Sequence, residues 1–417
     1  MIERTFYLNQ LISKRHSSKV KIITGLRRSG KSYLLSRIYK KYLLDNGVDE
    51  KQIILIELDD EANDKLLEKG NLRKYVEKVA NNDNLQYYIF IDEIQLANDF
   101  VRAINSLNKH ENYDIYITGS NSKFLSKDIN DEFKDRGSEI NVRPLSYSEF
   151  YNAFSGDKRF ALQEYLRYGG MPGLFEEESD FAKEKYLDNL MKKVYIDDIK
   201  RNIHTNLIDE LSATVDALCS VTGNLTNPLN MANYLLSEKK IKIDNETVTK
   251  FFEGIKDAFL FDQVKRFNIR GKEYLNTPSK YYCQDIGLRN VRINFREPNQ
   301  GFLIENTVYN ELVTRGYRVD VGFLEQKKKN KDGKYVYVQS EVDFIARLSS
   351  KEYYIQIMDE IPQGKHLNNE YDSLLSVPGS FKKILVVNKN IIHYTNDLGI
   401  LIISLEDFLL MPNSLEL

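Results

Sequence analysis

Two cysteines, Cys219 and Cys283, are all that the 417 residues contain. They stand far apart, with no C-x-x-C and no paired histidines nearby, so there is no disulfide framework and no zinc-ligand spacing, and both read as core thiols. No run approaches the roughly 20 apolar residues of a bilayer-spanning helix. The opening MIERTFYLNQLISK lacks the apolar core and small-residue cleavage site of a signal peptide, so the expectation is a soluble, cytoplasmic protein with no membrane partner. An excess of one charge is missing too: 59 Lys+Arg face 61 Asp+Glu, a formal −2. No global field draws the chain to nucleic acid or lipid, and any such binding rests on local patches. Internal repeats, Pro-rich linkers and low-complexity tracts are absent.

What is present is apolar material. With 42% hydrophobic and 12% aromatic residues, the chain can pack two or three domains and is too rich for disorder. From Val20 to about Leu145, short β-branched or aromatic runs (VKIITG, QIILIEL, YYIFIDEI, DIYITGS, SEINVRPL) alternate with helical patterns such as SYLLSRIYKKYLL. Strands that read as near-continuous apolar runs are buried on both faces, which predicts a parallel sheet with crossover helices. From Ser146 to about Val221 the apolar spacing turns helical, with a break at Gly169-Gly170-Met171-Pro172-Gly173. Residues 224–279 then read helix, helix, strand, strand, the order of a winged helix. A helix (FLIENTVYNELVTRG), a hairpin with its tip at 327–334, and the runs YYIQIM, KKILVV and GILIISL complete a second α/β unit. The expected domains are therefore a core over 1–150, a helical subdomain over 151–222, a winged helix over 223–290 and a final α/β domain over 291–417.

Chemistry concentrates near the amino end. Gly25-Leu26-Arg27-Arg28-Ser29-Gly30-Lys31-Ser32 matches G-x-x-x-x-G-K-[ST] between a strand and a helix, the context that a phosphate-cradling P-loop requires. Backbone N–H groups in such a loop form a concave anion site at a helix N-terminus, and glycine permits the positive φ and close approach that phosphates need. Lys31 would reach the β- and γ-phosphates of ATP, and the Ser32 hydroxyl would ligate Mg²⁺. Arg27 and Arg28 either meet the triphosphate or point to solvent. Sixty residues on, YYIFIDEI delivers Asp92 and Glu93 at a strand's carboxyl end: Asp92 to hold Mg²⁺, Glu93 to orient or deprotonate the attacking water. Ser120 or Asn121, after DIYITG, would sense the γ-phosphate unless they merely close a turn. Arg136 would act as a finger in cis or across a subunit interface, or serve as an exposed ion-pairing arginine.

GLRRSGKS, IFIDEIQ, ITGSNSKFLS, RGSEINVRPLSYSEF and YLRYGGMPG resemble the successive blocks of a large group of archaeal and bacterial AAA-type P-loop ATPases. KYYCQDIGLRN, FLIENTVYNEL, EVDFI and YYIQIM are similar to that group's C-terminal region, long catalogued as a domain of unknown function. The resemblance implies the additional-strand sheet order, with the strand before Ser120 lying between the P-loop strand and the Asp92-Glu93 strand, and it suggests a homo-oligomer. The C-terminal region also resembles the restriction-endonuclease-like fold, whose active members bind Mg²⁺ with a helix Glu, a strand Asp and a following E-x-K. Glu305 and Asp343 match the first two positions. Gln356-Ile357-Met358 replaces the third, so the resemblance implies an inactive nuclease site.

The winged-helix stretch from Glu238 to Lys280 holds ten Lys/Arg against seven Asp/Glu, with Lys265, Arg266, Arg270 and Lys272 around the wing. DNA binding and protein docking both stay open for it. The functional expectation is a Mg²⁺-dependent ATPase acting as a nucleotide-driven switch on a protein or DNA client. The alternative is a DNA-binding module of a mobile-element or defence system, gated by ATP occupancy.

Overall fold

The computed structural model describes residues 2–80, 85–119, 137–296, 300–329, 335–359 and 369–417. Its contacts divide into two units: residues 1–144 with 257–259, and residues 145–256 with 260–417.

In the first unit, β1 (Val20–Thr24), β2 (Ile53–Glu57), β3 (Tyr87–Asp92), β4 (Tyr113–Thr118) and β5 (Gly137–Asn141) form one sheet in the order β2-β3-β4-β1-β5. Every pairing is parallel. This is the additional-strand order: β4 separates β1 from β3. The alternation of side chains along buried strands makes two different layers. Ile89, Ile91, Ile115 and Ile117 face a layer shared with Leu72, Val76, Ile104 and Leu107, which belong to the helices Asn71–Val79 and Phe100–Leu107. Tyr88, Phe90 and Tyr116 face the opposite layer with Leu34, Leu35, Ile38 and Tyr39. These come from the helical segment after the P-loop, which is α-helical at Lys31–Tyr33, wound as a π-helix over Leu34–Tyr39 and α-helical again over Lys40–Asp45. Because all five strands run the same way, the chain leaves them along one edge. That edge gathers Gly25, Glu93, Gly119 and Val142, and carboxyl edges of this kind are where α/β sheets bind ligands.

The second unit begins with helices, including Tyr147–Ala153, Ala161–Tyr168, Asp180–Asn189 and Ile208–Ser220. The break expected at Gly169 is present: Gly169 has φ +79°, and the buried Asp285 carboxylate accepts from Gly170 N at 2.7 Å and from Leu288 N at 3.0 Å. Helices Pro228–Lys239 and Asn245–Asp257 follow, then β6 (Phe261–Asn268), β7 (Glu273–Cys283), β8 (Arg318–Lys329), β9 (Tyr335–Leu348), β10 (Lys351–Met358), β11 (Lys382–Val387), β12 (Tyr394–Thr395) and β13 (Ile400–Ser404).

These eight strands form one sheet, β12-β13-β11-β10-β9-β8-β6-β7. The hairpin expected as the wing is therefore the sheet's edge. β6 pairs with β8 in parallel through Arg266, Phe267 and Asn268, and Phe267 and Ile269 pack on the core of Leu324, Val342, Ile345 and Tyr354. The expected boundary at 290/291 falls between strands that share this sheet. A parallel pairing across some fifty residues satisfies the outer backbone groups of β6 and leaves no local signal in the sequence.

Candidate functional site

Glycine at position 25 is dictated by crowding: φ is +131°, and a Cβ there would sit 2.1 Å from the Val142 carbonyl oxygen. Gly30, at φ +96°, opens the helix at Lys31. Between them Ser29 is fully buried, its hydroxyl donating to Val142 O at 2.9 Å. The loop is also clamped from the amino end. Arg4, buried in the helix-capping position before Thr5–Ser13, donates through Nη1 to Ser29 O at 3.0 Å and through Nη2 to Arg143 O at 2.6 Å. Tyr7 Oη accepts from Arg143 N at 3.1 Å. The P-loop is thus tied to the segment after β5 directly through Ser29 and by way of Arg4, while Tyr7 steadies that segment.

Lys31 is 4% exposed, and its ammonium donates to Gly25 O and Leu26 O at 3.0 Å each. Burial pushes its pKa down to about 8; the Glu93 and Asp92 carboxylates oppose that fall and the Arg27 guanidinium adds to it. Lys31 is thus within electrostatic reach of Asp92, Glu93 and Arg27. Arg27, Arg28 and Ser32 are exposed, and Leu26 is fully buried, so Ser32 opens outward at the helix start while Leu26 anchors the loop.

At the end of β3, Asp92 is buried and Glu93 half-buried. Glu93 adopts φ +49°, ψ +46°, a left-handed conformation that a non-glycine residue holds only where its surroundings impose it. Thr118, the last residue of β4, supplies the constraint. Its hydroxyl donates to Asp92 Oδ1 and accepts from Glu93 N at 3.0 Å. Gln95 Nε2 donates to Glu93 Oε2. Sequence reasoning placed the polar group of this strand at Ser120 or Asn121; those two residues and Arg136 lie outside the described residues. Thr118 was missed because a threonine ending a strand has no motif of its own, and Arg4 because its contacts span the length of the unit. The ITGS block, in which Thr118 precedes a glycine, was the one available signal.

The donor set suits a hard divalent cation, since the Ser32 hydroxyl and the Asp92 carboxylate are oxygen ligands of the kind Mg²⁺ takes while keeping several waters.

A second cluster lies in the eight-stranded sheet. Glu305, on the helix Gln300–Thr314, accepts from Lys280 Nζ at 2.8 Å and from the Tyr282 hydroxyl. Lys280 also pairs with Glu341 Oε1 at 2.6 Å. Asp343 accepts from Gln356 Nε2 and from Ile357 N, both at 2.8 Å. Burial opposes the Lys280 charge, yet the carboxylates of Glu305, Glu341 and Asp343 hold its pKa above the ordinary value. Burial and Glu305 push Asp343 well up, against Lys280. Met358 is buried in the core. Among the described residues no group of three or more His, Cys, Asp or Glu could hold a metal ion, and in this cluster the Lys280 ammonium stands among the carboxylates. No described helix is long and apolar enough to cross a membrane.

Residues 17–151 match the family model of an AAA domain, and residues 159–299 match a domain of unknown function. An uncharacterized protein of Haemophilus influenzae is 34% identical over 394 residues, covering 93% of this chain and 94% of that protein. An uncharacterized protein of Methanocaldococcus jannaschii is 29% identical, covering 94% and 85%. Among solved structures, AMPPCP-bound DnaA from Aquifex aeolicus is similar at 14% identity and a TM-score of 0.31, over 60% of this chain and 86% of that one, too distant to say more. With that identity along nearly its whole length, the chain belongs to the family of the Haemophilus influenzae protein, and its first sheet lies in the stretch that matches an AAA domain.

Proposed function

We propose that the protein is a Mg²⁺-dependent ATPase whose nucleotide state switches the remainder of the chain on a protein or DNA client. The observation that carries this reading is the buried Lys31 ammonium, held by its own loop within electrostatic reach of Asp92 and Glu93. An ammonium so placed exchanges the Gly25 and Leu26 carbonyls for β- and γ-phosphate oxygens, while residues 25–32 cradle the phosphates with backbone N–H groups. Mg²⁺, held by Ser32 and Asp92, would neutralise charge on those oxygens. Thr118 orients Asp92 and fixes the backbone turn that presents Glu93. Glu93 then takes the proton of the attacking water. Arg136 is assigned the finger role and Ser120 or Asn121 the sensing role.

Since β6 and β7 belong to the sheet of β8–β13, the proposed output is motion of the wing and the nuclease-like fold together, over residues 223–417, with the helical segment 151–222 as the link. The nuclease-like site is assigned as inactive, because Lys280 occupies its carboxylates and Gln356 replaces the third acid. The second reading, an ATP-gated DNA-binding module of a mobile-element or defence system, is favoured by the exposed Lys265, Arg270 and Lys272 around the hairpin turn.

Phosphate release and calorimetry with ATP and Mg²⁺ test the first reading. Glu93→Gln should retain ATP binding and lose on the order of 10² to 10⁴ in turnover, the worth of a positioned base. Lys31→Ala should lose triphosphate binding. Wild-type turnover by Lys31→Ala would overturn the phosphate assignment.

A further inference from the structure

On the isoleucine face of the five-stranded sheet, the helices Asn71–Val79 and Phe100–Leu107 flank a cleft of about 450 Å³. Five of its ten lining residues are cations: Lys69, Arg73, Lys74, Arg102 and Lys109; Asp99 is the sole acid. In a chain with more Asp+Glu than Lys+Arg, that is a strong local excess. All five cations are exposed. Two of them make weak surface pairs, Lys69 with Asp99 at 3.4 Å and Arg73 with Glu77 at 3.7 Å; such pairs exchange readily. Lys74, Arg102 and Lys109 have no ion pair among the described residues. Arg73 also donates to Ser106 Oγ at 3.3 Å, tying the two helices across the cleft. Gly70 and Asp99 cap the N-termini of both helices at this cleft, so two helix dipoles add positive potential to the side-chain charge.

We propose that this cleft binds the phosphate backbone of a nucleic acid, in a sequence-independent manner. Three features select that partner. The charge is spread over both helices and their ends, from Lys69, Arg73 and Lys74 on one to Arg102 and Lys109 at the two ends of the other, which suits a repeating anion better than a single one. Gly70 and Ala103 are the sole apolar residues of the lining, whereas a protein interface is built on buried aromatic or aliphatic anchors and is poor in lysine. No aromatic lines it either, so it offers phosphate contacts and hydrogen bonds from Asn105 and Ser106 rather than base stacking. The inference deepens the nucleic-acid alternative above and rests on it for the class of partner. It places the contact on the helices of the five-stranded unit, and ATP is left out of the test so that loss of turnover and loss of this site read separately.

The test is fluorescence anisotropy of the full chain with a labelled DNA single strand, its duplex and an RNA of the same length, each across a salt series. If all five cations meet phosphates, log affinity against log salt should fall with a slope of about −3.5 to −4.5, a loss of two to three orders of magnitude for a fourfold rise in salt. The triple variant Lys74→Glu/Arg102→Glu/Lys109→Glu should lower affinity at least about 100-fold and flatten the slope by about 2 to 3. A triple change to Gln should act in the same direction, and a thermal melt confirms that each variant is folded. Lys41→Glu/Lys51→Glu, a change at two exposed lysines outside the cleft, should bind within about threefold of wild type. The proposal is overturned if wild type binds none of the three probes at low salt, if the cleft variants bind as wild type, if the control variant loses as much binding as the cleft variants, or if poly-glutamate competes as well as nucleic acid does.

Discussion

The depressed pKa of Lys31 makes triphosphate binding depend on pH in a calculable way. The amine loses its proton near pH 8, so its charged fraction falls from about nine-tenths at pH 7 to about one-tenth at pH 9. If the ammonium alone engages phosphate, the apparent Kd should rise about tenfold over that interval, about 1.4 kcal/mol. An unperturbed lysine would stay charged throughout and give no change. Titration of a non-hydrolysable ATP analogue with saturating Mg²⁺, by calorimetry at pH 7, 8 and 9, reads the effect directly. Lys31→Arg supplies the control, because a guanidinium does not titrate in this range: its affinity should be weaker than wild type at pH 7 but flat to pH 9. A wild-type Kd that is flat from pH 7 to 9, or a slope shared by Lys31→Arg, would refute the claim that a desolvated Lys31 is the group that grips the phosphates.

Three further outcomes follow from the same geometry. The folded pKa of Lys31, about 8, lies below its ordinary 10.5, so at neutral pH the ammonium is charged in both states. Its burial then costs as much as about 3 kcal/mol, relieved as pH rises through 8 toward 10.5. Lys31→Met should accordingly raise stability in denaturant melts at pH 7 without nucleotide, and the gain should shrink by pH 10; destabilisation at pH 7 would contradict it. Thr118→Val keeps the shape but strips the hydroxyl serving Asp92 and Glu93, which should cost about 1–3 kcal/mol of stability and lower kcat about tenfold with little change in ATP Kd. In the second cluster, Lys280→Met leaves Glu305 and Glu341 without their buried cation, a loss of about 3–5 kcal/mol at pH 7. Burial and Glu305 already push the Asp343 carboxyl up and Lys280 opposes that rise, so without the ammonium part of that loss should return as pH falls toward 5, a trend that melts at both pH values would read.

Reading the sequence located the P-loop, the acidic couple and the parallel core, because each rests on local regularities. The run Tyr87–Asp92 is apolar on both faces because both faces are covered, and Gly25 and Gly30 are glycines because their backbone turns left-handed. The strand order itself came from resemblance, since spacing along a chain does not say which neighbours pair. Tertiary structure alone decided the rest. Arg4 reaches Ser29 and Arg143, Thr118 reaches Asp92 and Glu93, and Lys280 reaches Glu305 and Glu341, across separations that carry no periodic signal. The wing hairpin likewise reads as a free pair of strands until β8 pairs with it in parallel. Local backbone preference and binary pattern are written in consecutive residues; which polar groups satisfy one another inside the fold depends on closing long loops, and only the folded chain settles that.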